Sequence, residues 1–161
     1  MNEELSNIGF IGAGNMAGAL IAGLVKNKYN NSQIFVSSPE EEHLKKLKDE
    51  FSVNVTKDNV EVIKSASTLV LAVKPNVIES VLDELSAEIC EKDPLLISIV
   101  AGYKIVSIEK RLNSKSKIIR AMPNTPASIG MGVSALTPNK LVVDEDKACL
   151  LYTSPSPRDR G

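Results

Sequence analysis

The sequence predicts an α/β fold with a doubly wound, mostly parallel sheet in a single domain. Three observations carry that expectation. Short apolar runs alternate with helix-like segments along most of the chain, those runs lack polar alternation, and a glycine-rich turn joins the first run to the first helix.

The strand-like runs are residues 8–11, 33–36, 53–55, 68–72, 95–98 and 117–120. Leu69-Val70-Leu71-Ala72-Val73 and Leu95-Leu96-Ile97 are apolar at successive positions. Strands covered on both faces by crossover helices read this way. The first helix carries the stripes Leu20/Leu24 and Ile21/Val25, and a later one carries Ile78, Leu82, Leu85 and Ile89. Ser38-Pro39-Glu40-Glu41 has the form of a capping box with proline at the first helical position, and Asp58-Asn59-Val60-Glu61 opens a short helix in a similar way. Met122-Pro123-Asn124-Thr125-Pro126 predicts an ordered, irregular loop, since its two prolines block helix and central strand. A further strand is expected over 133–136, and an apolar helix begins at Asp144-Glu145-Asp146 and runs into 147–151. Residues 152–161 are polar and interrupted by proline, so they read as a foreign or disordered tail after a dinucleotide-binding domain of residues 1–151.

The 161 residues are 43% apolar, enough for one domain with a real core. Nineteen basic and 20 acidic residues leave a net charge of −1, which provides no field to hold a nucleic acid or an anionic membrane. The acidic start carries no export signal, and no apolar run approaches the roughly 20 residues that span a bilayer. A cytoplasmic location is expected. Cys90, Cys149 and the single histidine, His43, have no metal-ligand or redox spacing, so no metal is expected. The cysteines read as packing residues and His43 as a residue of the outer face of the second helix.

The chemistry starts at Gly12-Ala13-Gly14-Asn15-Met16-Ala17, which fits G-x-G-x-x-G/A directly after a strand and before a helix. This is the fingerprint of a Rossmann-type dinucleotide site. Gly12 permits the tight turn, Gly14 lets a pyrophosphate approach the backbone, and Ala17 lets helix and strand pack closely, with the amides of the helix start facing the phosphates. About 20 residues past the glycines, a carboxylate would accept hydrogen bonds from a free ribose 2′-hydroxyl. Ser37 and Ser38 stand there instead. Hydroxyls and open amides accommodate a 2′-phosphate, which favours NADPH, while Glu40 and Glu41 nearby leave NADH open and Ser38 reads equally as a helix cap. Lys74, in Ala72-Val73-Lys74-Pro75 at a strand's carboxyl end, can reach a ribose, a phosphate or a substrate carboxylate. The small residues of Ser98-Ile99-Val100-Ala101-Gly102 leave room for a nicotinamide ring, and Asn124 and Thr125 offer polar groups on the substrate side of the same crevice.

Taken in order, the glycine turn, Leu71-Ala72-Val73-Lys74-Pro75, Ala101-Gly102, Ser107-Ile108-Glu109-Lys110 and Arg120-Ala121-Met122-Pro123-Asn124-Thr125-Pro126 resemble pyrroline-5-carboxylate reductase. The resemblance covers residues 5 to about 151. It implies NADPH-dependent reduction of the cyclic imine 1-pyrroline-5-carboxylate to L-proline. It also implies cofactor contacts at Ile11, Gly12, Ala13, Gly14, Asn15 and Met16 for the pyrophosphate, and at Ser38, with Glu40, for the adenosine ribose. Asn59 is assigned to the cofactor by resemblance alone. Ala72, Val73, Lys74, Pro75, Ile99, Val100 and Ala101 would lie along the nicotinamide half. Members of the family continue into an all-helical domain that makes a homo-oligomer and carries much of the substrate site, so no catalytic residue is expected within this sequence. Two other readings stay open: a β-hydroxyacid or ketopantoate type of two-domain reductase, and a non-catalytic dinucleotide-binding fragment.

Overall fold

Runs of β-branched and aliphatic residues form the strands, and the stretches between them, with apolar residues at helical spacing, wind back as helices. In the computed structural model, residues 7–112, 116–123 and 133–139 are described. The strands are β1 (Ile8–Ile11), β2 (Ile34–Ser37), β3 (Asn54–Thr56), β4 (Thr68–Leu71), β5 (Leu95–Ser98), β6 (Ile118–Pro123) and β7 (Val133–Pro138). They form one sheet in the order β3-β2-β1-β4-β5-β6-β7, with β7 antiparallel to β6 and every other pairing parallel. The helices are α1 (Asn15–Lys26), α2 (Glu41–Phe51), α3 (Asn59–Ser65), α4 (Ile78–Lys92) and α5 (Ile105–Arg111). This is the doubly wound, mostly parallel architecture expected from the sequence.

Two cores lie on opposite faces of the sheet. Ala17, Ile21 and Leu24 of α1 and Leu44 and Leu47 of α2 pack on Ile8, Phe10, Ile34 and Val36. On the other face, Val62 and Ile63 of α3, Ile78, Leu82, Leu85 and Ile89 of α4, and Ile108 of α5 pack on Ile11, Leu69, Leu71, Leu96 and Ile118. Side chains alternate between faces along each strand, so Val70 joins the first core while Leu69 and Leu71 join the second. Each fully buried aliphatic side chain contributes about 1.5–3 kcal/mol, and for that reason the strands carry no polar alternation.

Three local expectations change. Helix α2 starts at Glu41 rather than at Pro39, with Glu40 as its N-cap and no side-chain cap bond. The Ser38 N–H stays on the sheet by donating to the Thr56 carbonyl, and its hydroxyl accepts from the Glu40 N–H, so the helix starts two residues later than expected. Strand β6 runs through Met122 to Pro123, where irregular loop was expected, with a register shift between those two residues against β7. Its pairing with β5 has already ended at Arg120, so the missing N–H of Pro123 interrupts no ladder on that side. Cys90 lies exposed on α4, its thiol donating to the Leu112 carbonyl at 3.5 Å, and is not a packing residue. The expected helix from Asp144 and the tail 152–161, together with Cys149, lie outside the described residues.

One contact between β1 and α3 depends on the absence of a side chain. A Cβ at Gly9 would fall 2.5 Å from Val62 Cγ1 and 3.0 Å from Ala66 Cβ. Gly9→Ala is expected to lower the unfolding free energy by about 1–3 kcal/mol through overpacking. Val62→Ala in the same chain should recover part of that loss. Urea unfolding of the two variants checks this, and an unchanged midpoint for Gly9→Ala would show that α3 shifts freely away from β1.

Candidate cofactor site

Sheet register brings the candidate residues to one edge. Thr56, Ser37, Ile11, Leu71, Ser98 and Arg120 are successive Cα partners across six strands, forming a row at the carboxyl end that is the last of every strand except β6, which continues to Pro123. The chain runs outward from β1 to β3 and then returns to β4 on the other side of β1. Such a reversal opens a crevice outside the strand ends, where ligands of open α/β sheets bind.

The glycine turn sits over that reversal. Gly12 has φ +112°, and its N–H donates to the Ser37 carbonyl at 2.9 Å. A Cβ there would stand 2.7 Å from the Ala72 carbonyl oxygen and 3.0 Å from the Val73 nitrogen. Gly14 differs: it is the N-cap of α1, and a Cβ would meet nothing within 4 Å. Among the described residues no side chain caps α1, and no acidic residue stands in its first turn. The amides of that turn therefore face open space with the positive end of the helix dipole behind them. Ile11 and Ala13 are buried and offer only backbone, Met16 is half-buried, and Asn15 is exposed.

On the β2 side the two serines behave differently from each other and from expectation. Ser37 is fully buried, its hydroxyl 2.5 Å from Asn59 Oδ1 and 3.5 Å from the Phe10 carbonyl. Sealed inside the sheet, it cannot present its hydroxyl to a ligand. Ser38, also buried, closes the turn into α2. Asn59 stands half-buried at the first position of α3, behind Asp58, whose carboxylate accepts from the Val60 N–H as the N-cap. Glu40 pairs with His43 Nδ1 at 2.7 Å, and Glu41 pairs with Lys57 at 3.2 Å.

On the β4–β5 side, the Ala72 N–H continues the ladder to the Ile11 carbonyl at 2.9 Å, and Ala72 and Val73 are half-buried. Lys74 and Pro75 are exposed, and Lys74 forms no ion pair among the described residues. The Ile99 N–H donates to the Leu71 carbonyl, and Ser98 Oγ accepts from the Val100 N–H. The Val100 side chain is in the core, whereas Ala101 and Gly102, with φ +71°, lie at the surface. A clasp pins the end of this turn to α4: the Tyr103 hydroxyl donates to Glu79 at 3.3 Å, and Arg111 binds both oxygens of Asp83 at 2.6 and 2.7 Å. Burial pushes the Tyr103 phenol above its ordinary range, and its hydrogen bond with Arg111 opposes that shift. Asn124 and Thr125 lie outside the described residues.

Sequence reasoning passed over two features. A cleft of about 450 Å³ lies between α1 and α2, shares Ala13, Gly14 and Asn15 with the turn, and is walled by His43, Lys46 and Glu50. Arg120, the last member of that row, keeps a buried Nε with no hydrogen-bond partner among the described residues. Neither carries a local sequence signal, since each depends on which elements become neighbours. Among the described residues no cluster of His, Cys, Asp or Glu could hold a metal ion.

Residues 7–102 match the model of a protein family described as NADP oxidoreductase, coenzyme F420-dependent. The chain belongs to this family. Among its relatives, a pyrroline-5-carboxylate reductase of Escherichia coli (strain K12) is 40% identical over 145 residues, 89% of this chain and 54% of that protein. The solved pyrroline-5-carboxylate reductase from Coxiella burnetii superposes with a TM-score of 0.88 at 37% identity, covering 93% of this chain and 56% of that one. The Plasmodium falciparum pyrroline carboxylate reductase, solved with NADP bound, gives a TM-score of 0.80 at 30% identity over 94% of this chain and 55% of that one. The resemblance read from the A-V-K-P and M-P-N-T-P segments is thus borne out. The chain spans about half the length of the curated relatives it matches, 54% for the Escherichia coli protein.

In this member of the NADP oxidoreductase family, the two glycines of the turn are separable by stability. Gly12→Ala is expected to cost about 2–4 kcal/mol, from the left-handed backbone and the collision with β4. Gly14→Ala should cost at most about 1 kcal/mol, the N-cap preference for glycine over alanine. Thermal and urea unfolding of both variants test the ranking, and equal losses would contradict the open space assigned to Gly14.

Proposed function

We propose that this chain is the cofactor-binding part of an NADPH-dependent reductase that converts 1-pyrroline-5-carboxylate to L-proline. The observation that carries the cofactor reading is the uncapped start of α1 at Gly14, open to a pyrophosphate where the strand order reverses. The substrate reading rests on similarity to pyrroline-5-carboxylate reductases along nearly the whole chain.

In this reading the backbone of Ile11, Gly12, Ala13, Gly14, Asn15 and Met16 takes the pyrophosphate. Ser38 and Asn59 stand on the adenosine side, with Ser37 behind them. Ala72, Val73, Lys74, Pro75, Ile99, Val100 and Ala101 line the nicotinamide side, while Asn124 and Thr125 face the substrate. NADPH is preferred over NADH because no carboxylate replaces Ser37 or Ser38 at the end of β2, and both nearby acids are already engaged, Glu40 by His43 and Glu41 by Lys57. The bound cofactor supplies a hydride to the imine carbon, whose protonated nitrogen then becomes the ring amine of proline. A protonated imine is already electrophilic, so the chain's own contribution is to position the ring and hold the edge rigid rather than to supply a strong acid.

Residues 1–151 act as the dinucleotide-binding domain in the same reading. A helical domain like that of the family would make the homo-oligomer and bring most substrate contacts, in the cytoplasm. Among the described residues no helix is long and apolar enough to cross a membrane.

Calorimetry on the chain with NADPH and NADH is expected to show binding of both, with NADPH at least about tenfold tighter, the ratio that about 1.4 kcal/mol supplies. Gly14→Ala should weaken both while the fold persists. Absence of binding to either would sink the cofactor reading. Joined to the helical half of a related reductase, the chain should oxidise NADPH only when 1-pyrroline-5-carboxylate is present. Reduction of a keto acid without imine activity would favour a β-hydroxyacid or ketopantoate type.

A further inference from the structure

We propose that Ser37 is a positioning residue of the cofactor site. Its hydroxyl holds the carboxamide oxygen of Asn59, so that Asn59 meets the ligand with N–H donors only. The inference rests on the cofactor reading above and deepens it by assigning the polarity of one contact.

Ser37 ends β2 in the strand-end row, and its side chain points to the face of the sheet that carries α3. A serine hydroxyl has one proton to give. Asn59 Oδ1 at 2.5 Å takes it in preference to the Phe10 carbonyl at 3.5 Å, a distance at the limit for a hydrogen bond. Fully buried, Ser37 has no access to bulk water, and its hydroxyl is satisfied by this contact.

The backbone around Asn59 is fixed without help from its own side chain. Asp58 caps α3 through the Val60 N–H at 3.0 Å. Thr56 Oγ1 accepts from the Asp58 N–H at 3.0 Å and donates to Glu61 at 2.6 Å. What remains free is the carboxamide torsion, which is broad and nearly two-fold, so that either oxygen or nitrogen can point outward. Ser37 breaks that symmetry. With Oδ1 consumed, the Nδ2 group has no partner among the described residues and is the end left for a ligand. The chemical class that fits is a hydrogen-bond acceptor on the adenosine half: a ribose oxygen, a phosphate oxygen or a ring nitrogen. The Ser37 carbonyl also accepts the Gly12 N–H at 2.9 Å, so one residue ties the glycine turn to the Asn59 donor.

The test is a mutant cycle on the full chain with NADPH affinity measured by calorimetry, alongside the NMR signals of the Asn59 side-chain amide without ligand. Ser37→Ala should weaken NADPH by about fivefold and Asn59→Ala by roughly tenfold, the scale of one hydrogen bond. The double variant should bind no more weakly than Asn59→Ala alone. Asn59→Asp keeps an acceptor for Ser37 but loses the N–H donors, and should lose at least as much as Asn59→Ala. Ser37→Cys, close in shape and a poor donor, should repeat the Ser37→Ala result if the alanine variant unfolds. Losses that multiply in the double variant would overturn the proposal, because a merely structural Ser37 acts whatever stands at position 59. Full affinity in Asn59→Asp would overturn it too. In the ligand-free spectrum the Asn59 amide protons should shift and exchange faster in Ser37→Ala, and unchanged signals would overturn the positioning role. Should the unmodified chain bind no NADPH, the cofactor reading fails, and this spectrum alone then decides whether Ser37 orients Asn59.

Discussion

The backbone passes Gly12 within contact distance of the end of β4, and the geometry of the whole carboxyl edge follows from that passage. With φ +112° and the Ala72 carbonyl only 2.7 Å from where a Cβ would stand, the position admits no side chain. Through this narrow point the chain turns from the centre of the sheet onto the face occupied by α1. The Gly12 N–H bonds toward β2 and the Ile11 carbonyl bonds to Ala72 beyond β4, so the end of β1 is held from both sides. Ala17, with no exposed surface, then lets α1 lie close against the strands while the start of the helix stays at the crevice. Lifting the turn by one methyl group would move the amides of that helix start away from the strand-end row.

The row itself explains how a sheet with apolar strands ends in polar groups without leaving them unpaired. Thr56, Ser37 and Ser98 each hold a segment farther along the chain or packed beside them: the start of α3, the Asn59 side chain, and the Val100 amide respectively. Burial of a hydroxyl is tolerable where it closes such a bond, and each bond here orders a turn that borders the crevice. The Arg120 Nε is the exception on the row, buried and without a partner among the described residues. On the outer surface, the clasp of Arg111 on Asp83 and Glu79 adds a second restraint to the turn after β5.

Much of this fold is legible in the sequence because its strongest determinants are local. Successive apolar positions in 68–72 and 95–98 announce strands covered on both faces, and the stripe Ile78, Leu82, Leu85, Ile89 announces the buried side of α4. The remainder depends on distant neighbours. Ser38 looks like a helix cap until its amide is seen bonded to Thr56, and Pro123 looks like a strand breaker until β5 is seen to have ended. The ends of α2 and α4 carry Ser52 and Asp93 in left-handed conformation, at φ 59° and 56°, positions where glycine would have been the legible signal. For the site, the glycine turn is readable from spacing, while the contact of Ser37 with Asn59 is not, since it depends on which distant element packs beside the end of β2.

A consequence concerns where specificity can reside. Ile11, Ala13 and Val100 turn their side chains into the cores, so at these positions only backbone groups face the crevice. Backbone amides recognise phosphates and ring edges in the same way whatever the sequence, and a fold that relies on them can serve many reactions. Among the described residues, Asn15, Asn59 and Lys74 are polar side chains at that edge able to tell one ligand from another. Of these, Asn59 is the one whose side-chain orientation is set by a buried partner, whereas Asn15 and Lys74 are exposed. A pre-oriented amide loses less rotational freedom on binding than an exposed lysine does, so a contact at Asn59 returns more of its interaction energy as affinity. In the proposed site the buried end of β2 acts on selectivity through Asn59, although Ser37 itself exposes no surface.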